Sequence, residues 1–199
     1  VSIYLSQDEL FRNYLSRYKE IGVNGALAVA RSNRMVSFIN KAIRRDLYGK
    51  LDMPIQVGEV LMVVQNNYSV PLTNGDFVIV TTLGELRLQA NLRFQSIRVK
   101  ALLSESEYEI LLALDVLTSK DPSFTREQSR ELMVDFSRRM KKKGIKPNSE
   151  LYKEVMMSDP YLNCLKAKFG YAVTCHKAQG GEWDVTHRPT HLFRRDPLE

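Results

Sequence analysis

A chain of 199 residues that is 44% hydrophobic and 26% charged can build a packed core and is not a disordered tail. Its 29 basic and 23 acidic side chains leave a net charge of +6, which suits a polyanionic partner as well as a merely basic globular protein. Two cysteines, Cys164 and Cys175, exclude a disulfide framework and lead us to expect a reducing, cytoplasmic setting. No stretch approaches the roughly 20 apolar residues of a membrane span, no signal-like segment opens the chain, and no membrane partner is expected. The start at Val1 and the end at Leu198-Glu199 suggest a piece of a longer protein.

The elements follow in chain order. Ser6-Gln7-Asp8-Glu9 is a capping box. Leu10, Phe11, Tyr14, Leu15, Tyr18 and Ile21 then recur at helical spacing, and Gly22 supplies the stop. Gly25 to Arg31 is short and apolar, as a buried parallel strand would be. Ser32-Asn33 caps a second helix with a stripe of Val36, Ile39, Ala42, Ile43 and Leu47, ending at Gly49.

After Lys50 the pattern shortens. Val57 to Gln65 and Phe77 to Thr82 read as strands joined by an Asn74-Gly75 turn, and Glu85 to Ala90 and Ser96 to Lys100 as two more. A small antiparallel barrel is expected. From Ser104 the spacing predicts helices again. Ser104-Glu-Ser-Glu107 precedes Tyr108, Leu111, Leu112 and Val116, and Thr125-Arg-Glu-Gln128 precedes Leu132, Met133, Phe136 and Met140, with Gly144 as stop. Ser149 caps a third helix reaching Met157, which Asp159-Pro160 ends. The expected organisation is an α/β domain in two pieces, 1–52 and 159–199, interrupted by a barrel over 53–103 and a helical insertion over 104–158.

Most of the chemistry gathers in Tyr171-Ala-Val-Thr-Cys-His-Lys-Ala-Gln-Gly-Gly-Glu-Trp-Asp184. A short apolar strand runs into a polar turn, and the carboxyl ends of strands are where an open α/β sheet places its ligands. Strand alternation would point Thr174 and His176 one way and Cys175 the other, as a buried thiol that cannot share a proton with His176. Lys177 adds a point charge, Gln179 donates and accepts, and Gly180 and Gly181 allow close backbone approach. Glu182 would repel phosphate but suits a ribose hydroxyl. By themselves these residues read more simply as a plain polar loop with two glycines.

The run resembles motif V of superfamily 1 helicases, Thr-x-His-Lys-(Ser/Ala)-Gln-Gly-x-Glu-(Phe/Trp)-Asp. Thr174, His176, Lys177, Ala178, Gln179, Gly180, Glu182, Trp183 and Asp184 fit it position by position. Ala28 to Arg44 likewise resembles the strand and helix that open the second RecA-like domain. Pro54 to Tyr68 with Leu72 to Asp76 is similar to the inserted barrel of the RecD-like branch, which includes exodeoxyribonuclease V alpha-type and TraA-type proteins. The resemblance covers about 1–100 and 165–185.

It implies an α/β fold: a second RecA-like domain of P-loop NTPase type with a parallel sheet, interrupted by a small SH3-like β-barrel and a helical insertion. It also implies an ATP-dependent DNA helicase that uses ATP and Mg2+ in the intact protein. The partners would be single-stranded DNA and an N-terminal ATPase domain of the same polypeptide. Thr174 and His176 would touch the DNA backbone, supported by Lys177 and Gln179, and Arg31 and Asn33 would border the groove. Gly180, Gly181 and Glu182 would lie toward the nucleotide. The alternatives are an RNA-directed helicase of the same superfamily and a non-catalytic protein-docking module.

The departures are specific. No Gly-x-x-x-x-Gly-Lys-(Ser/Thr) occurs, no Asp-Glu pair follows an apolar strand, and the arginine-bearing motif VI is missing, so this chain alone is expected not to hydrolyse ATP. After Asp184 the family continues with an apolar strand, whereas Pro189 argues against a central strand here and leads us to expect poor packing past 185. His187 and His191 have helical metal-pair spacing, but Pro189 lies between them and no metal site is expected. Arg138 to Lys146 carries cations that suit a helix C-terminus or, less simply, a DNA backbone.

Overall fold

The computed structural model describes residues 7–49, 54–178 and 185–187. In chain order its elements are α1 (Gln7–Gly25), β1 (Ala26–Ala30), α2 (Asn33–Tyr48), β2 (Val60–Val63), β3 (Phe77–Gln89), β4 (Leu92–Ala101) and β5 (Glu107–Ala113). There follow α3 (Leu114–Thr118), α4 (Arg126–Lys142), α5 (Glu150–Ser158), β6 (Ala167–Phe169), β7 (Ala172–Thr174) and β8 (Val185–His187). They form a mixed α/β structure with one parallel and one antiparallel sheet. Two compact units result, Val1–Asp52 with Gly170–Glu199, and Met53–Phe169.

The first unit is a parallel sheet of order β7-β1-β8 with α1 and α2. All five residues of β1 are buried, as a strand flanked on both edges requires. Ser32 caps α2 by accepting from the Met35 amide at 3.3 Å, as its position before the helix predicts. Ile39 and Ile43 are buried as expected, but so are Asn40 and Arg44, while Val36, Ala42 and Leu47 are only partly so. In α1 the expected face is represented by buried Tyr14 and Tyr18, and Gly22 breaks the helical path at φ 69 as a left-handed residue. Ser6 of the expected capping box lies outside the described residues.

Residues Val185–His187 form a strand, parallel to β1 with Ala26 opposite Val185. Among the described residues it is an outer strand of the order β7-β1-β8, and Pro189 lies outside them.

The second unit is a five-stranded sheet of order β5-β4-β3-β2-β6 with α3, α4 and α5. Its core gathers Ile55, Leu61, Val63, Val78, Val80, Ile97, Val99, Ile110, Leu112 and Leu165 among others. The Asn74-Gly75 turn joins antiparallel β2 and β3, with Gly75 at φ 103. The two strands expected at Phe77–Thr82 and Glu85–Ala90 are one strand of 13 residues, kept in register with β4 by irregularities at Val80/Thr82 and Leu83/Leu86. Gly84 permits this, since a Cβ there would lie 3.1 Å from that of Ser96. The hairpin turns on Ala90 and Asn91, both at positive φ (49° and 59°), the conformation of a two-residue type I′ loop.

The helix expected after Ser104 is corrected to a strand. Residues 101–106 turn back, with Glu105 at φ 55 and the Ala101 amide bonded to the Ser106 carbonyl at 2.9 Å. Glu107 to Ala113 then pairs antiparallel with β4. Tyr108, Ile110 and Leu112 alternate onto the core, and this period of two prevails over the helical spacing of Tyr108, Leu111 and Leu112. Residues 104–158 thus contribute a strand as well as helices to the same unit as 53–103. Residues 165–169 join it too: Ala167–Phe169 pairs with β2, and Leu165 bonds the backbone of Leu111 and Ala113 at 2.7 and 3.0 Å. That segment therefore bonds to β2 on one side and, through Leu165, to β5 at the far end of the strand order.

The helices beyond β5 obey their sequence signals. Thr125 and Gln128 form the reciprocal capping box, and Leu132, Phe136 and Met140 are buried. Met133, expected on that face, is 41% exposed. Gly144 at φ 73 ends α4, with Ile145 and Gly144 amides bonded to the Met140 and Lys141 carbonyls, both at 3.0 Å. Ser149 caps α5, and Asp159 ends it. Asp159 accepts from Arg139 Nη1 at 2.5 Å, while Asp135 accepts from Arg139 Nε at 2.8 Å and from Gln89 Nε2 at 2.7 Å. Burial pulls the Arg139 pKa down, but hydrogen bonds to Asp159 and Asp135, with their charges, outweigh it and leave it above the ordinary arginine value. This network locks α4 to the end of α5 and to the β3–β4 hairpin.

Candidate nucleic-acid interface

The geometry begins with β1 and β7. They are parallel and in register, with Ala28, Val29 and Ala30 opposite Ala172, Val173 and Thr174. Both chains therefore leave the same, carboxyl end of the sheet. From β1 the chain passes through Arg31 into the N-terminus of α2, and from β7 it passes into the turn Cys175–Lys177. The Cys175 amide donates to the Ala30 carbonyl at 3.2 Å, and the Lys177 and Ala178 amides donate to the Thr174 carbonyl at 3.0 and 3.1 Å. This tight turn fixes the loop to the end of β1.

Buried polar contacts hold β7 in place. The Asn40 side chain accepts from the Ala172 amide at 3.0 Å and donates to the Ala172 carbonyl at 3.4 Å. It occupies the edge of β7 that faces away from β1 and satisfies both polar groups of one buried peptide position. On the strand's entry side Tyr14 donates to the Tyr171 carbonyl at 2.7 Å, and burial raises the Tyr14 pKa well above the usual phenol value. The Tyr18 and Tyr171 rings meet edge to face at 5.5 Å.

The structure brings five of the expected contact residues to one sheet end. Arg31, Asn33, His176 and Lys177 are exposed, and Thr174 is half-buried. Gln179, Gly180, Gly181 and Glu182 lie outside the described residues. Lys177 keeps an exposed side, yet surrounding protein removes part of its water and lowers its ammonium pKa below the ordinary lysine value. Arg34, exposed in the first turn of α2, stands at the same end. It was not singled out in the sequence, although its place two residues after a Ser N-cap was the available signal.

One expectation about this loop is corrected. β7 ends at Thr174, so strand alternation does not extend through Cys175 and His176. Cys175, expected as a buried thiol, is exposed, with Sγ 3.7 Å from the Ala30 carbonyl oxygen. The buried thiol is Cys164, whose pKa is pushed up to about 12 by desolvation. His187 lies in β8 rather than on a helix, and His191 is outside the described residues. Among the described residues no cluster of three or more His, Cys, Asp or Glu could hold a metal ion. None of their helices is long and apolar enough to cross a membrane.

Chemically, this sheet end offers a hydroxyl, an imidazole, two guanidinium groups and one partly desolvated ammonium, with no carboxylate at positions 31–34 or 174–178. Such a donor set binds phosphate and sugar oxygens rather than cations.

No family model matches the chain, and no curated protein does. Among solved structures, it is similar to a crystal structure of Pif1 helicase from Bacteroides in complex with ADP-AlF3 and ssDNA. The likeness has 15% sequence identity and a TM-score of 0.44, and covers 94% of this chain. The chain spans 44% of the length of that helicase chain. A shared fold does not follow from a likeness at that level.

Proposed function

We propose that this chain is the second motor domain of an ATP-dependent superfamily 1 DNA helicase of the RecD-like branch, exodeoxyribonuclease V alpha-type or TraA-type, and that its sheet end grips single-stranded DNA. The observation that carries the reading is the placement of Thr174, His176 and Lys177 after a parallel strand in register with the one that leads to Arg31 and Asn33. The nine-position likeness of residues 174–184 to motif V supports the same assignment. The antiparallel pairing of β2 with β3 and of β3 with β4 supports the SH3-like barrel expected over 53–103.

In this reading Thr174 and His176 hydrogen-bond the sugar-phosphate backbone, and Lys177 supplies a charge whose attraction is strengthened by its partial desolvation. Arg31, Asn33 and Arg34 line the same strand of DNA from the β1 side. Contacts of this kind position a backbone without reading bases, so binding is sequence-tolerant and falls with salt. Gln179 supports the loop, and Gly180, Gly181 and Glu182 face the nucleotide.

The chain's own residues do not make a nucleotide site. The sequence has no Gly-Lys-(Ser/Thr) phosphate loop, and no Asp-Glu pair follows an apolar strand to hold Mg2+. ATP and Mg2+ are assigned to a cleft completed by an N-terminal ATPase domain of the intact protein. The test has two parts. The 199-residue chain should bind a single-stranded DNA oligonucleotide without hydrolysing ATP. The intact protein should show ATPase activity stimulated by single-stranded DNA more than by RNA. ATP hydrolysis by this chain alone would refute the domain assignment, and stronger stimulation by RNA would refute the DNA assignment.

A further inference from the structure

The β3–β4 hairpin carries a feature that strand gripping does not use. β2 pairs with β3 only over Phe77, Val78 and Ile79, and the Glu59–Val80 backbone contact extends this by one residue. From Thr81 to Gln89, no strand among the described residues pairs with the second edge of β3. On this edge Leu86 is 60% exposed and Leu88 70%, an unusual place for two large apolar side chains. Exposed apolar edge strands are templates for pairing with another chain.

The hairpin geometry fixes which backbone groups are on offer. Gln89 and Leu92 flank a two-residue loop and form its hydrogen-bonded pair, as do Arg87 and Phe94 one step further on. Leu86 and Leu88 therefore turn their N–H and C=O groups to the open edge. Glu85 and Arg87 share one face of the strand, where they form an ion pair at 3.3 Å.

We propose that this edge pairs with the same edge of a second copy of the chain, antiparallel and centred on Leu86. The sequence is complementary to itself in that register. Leu86 meets the second copy's Leu86 at the two-fold axis as a hydrogen-bonded pair. Glu85 then faces the second copy's Arg87, and Arg87 its Glu85, so two attractive charge pairs form in the closest cross-strand positions. Leu88 faces Gly84, which brings no side chain of its own against it. Any register shifted by two residues loses the two charge pairs. The irregularity between Leu83 and Leu86 takes in Gly84 and Glu85, so the regular ladder runs only from Leu86 to Gln89, and the contact is short and the dimer weak.

Sedimentation velocity of the 199-residue chain over a range of concentrations tests this directly. The wild type should show a concentration-dependent monomer–dimer equilibrium. Arg87→Glu sets glutamate against glutamate at both symmetric positions and should weaken dimerisation about tenfold or more. The double exchange Glu85→Arg with Arg87→Glu restores opposite charges and should restore the dimer. These residues are on the surface, and an unchanged circular dichroism spectrum verifies the fold. A wild type that stays monomeric at every concentration overturns the proposal, as it would if the edge served a different chain. A dimer indifferent to Arg87→Glu overturns it as well.

Discussion

Asn40→Ala is the sharpest structural perturbation of the candidate site that leaves every proposed DNA contact in place. Asn40 is 6% exposed and Ala172 1%, so water does not reach the Ala172 peptide groups in the native state. The alanine variant strips the partner from the Ala172 amide, bonded at 3.0 Å, and from its carbonyl, bonded at 3.4 Å. A buried donor left unsatisfied costs about 1–3 kcal/mol, and the longer carbonyl contact belongs at the low end of that range. Together the loss comes to about 2–4 kcal/mol, less where a water enters the space vacated. Urea unfolding followed by hydrogen exchange of backbone amides reports separately on the unit containing Gly170–Glu199 and on the unit Met53–Phe169. The midpoint of the first should fall, while the transition of the Met53–Phe169 unit stays put, and the Ala172 amide should lose hydrogen-exchange protection. A change under about 0.5 kcal/mol, the range of an ordinary surface substitution, would refute the role assigned to Asn40.

Three further outcomes are expected. Under native conditions a thiol reagent should label Cys175 and spare Cys164, as measured by mass spectrometry of the digested chain, since one thiol is exposed and the other buried. Because burial raises the Cys164 pKa from 9.0 to about 12, the unfolded chain loses this proton first. The thiol's contribution is therefore fully present below pH 9, and a Cys164→Ala variant should lose less stability than wild type as pH climbs toward 12. Arg139→Ala leaves Asp159, only 4% exposed, without its cation, and should lower stability of the Met53–Phe169 unit by about 2–4 kcal/mol in denaturant titration. Arg139→Lys should recover little, because an ammonium cannot span Asp135 and Asp159 as the guanidinium fork does.

The first unit was more legible in the sequence than the second. A run such as Ala26–Ala30 between Gly25 and Ser32 has only one comfortable home, a strand buried on both edges, and local caps fix the neighbouring helices. Thr125, Ser149 and Gly144 were readable for the same reason, since caps depend on a few adjacent residues. The Glu107–Ala113 strand was misread because Tyr108, Leu111 and Leu112 also satisfy a helical period, and only the distant β4 decides between the two. The Ala90-Asn91 turn lacks the glycine that marks most such loops. Asn40 gave no signal at all: a polar residue on a helix face is indistinguishable from a solvated one until the strand it caps is known. The turn after Thr174 defeated strand alternation for Cys175 because the strand is only three residues long.

Salt-dependent binding to single-stranded DNA tests the central reading most directly. Fluorescence anisotropy of a labelled oligonucleotide is titrated with the 199-residue chain and with a His176→Ala, Lys177→Ala variant, at several salt concentrations and near neutral pH. The wild type should bind with an affinity that falls linearly in log–log form. The variant should bind more weakly, with a slope shallower by about 0.7 for the lost lysine contact. Raising the pH should erase the difference in slope before other lysines titrate, because the lowered Lys177 pKa releases its charge first. No binding by the wild type, or equal binding and equal slopes for both proteins, would contradict the assignment of this sheet end to nucleic acid.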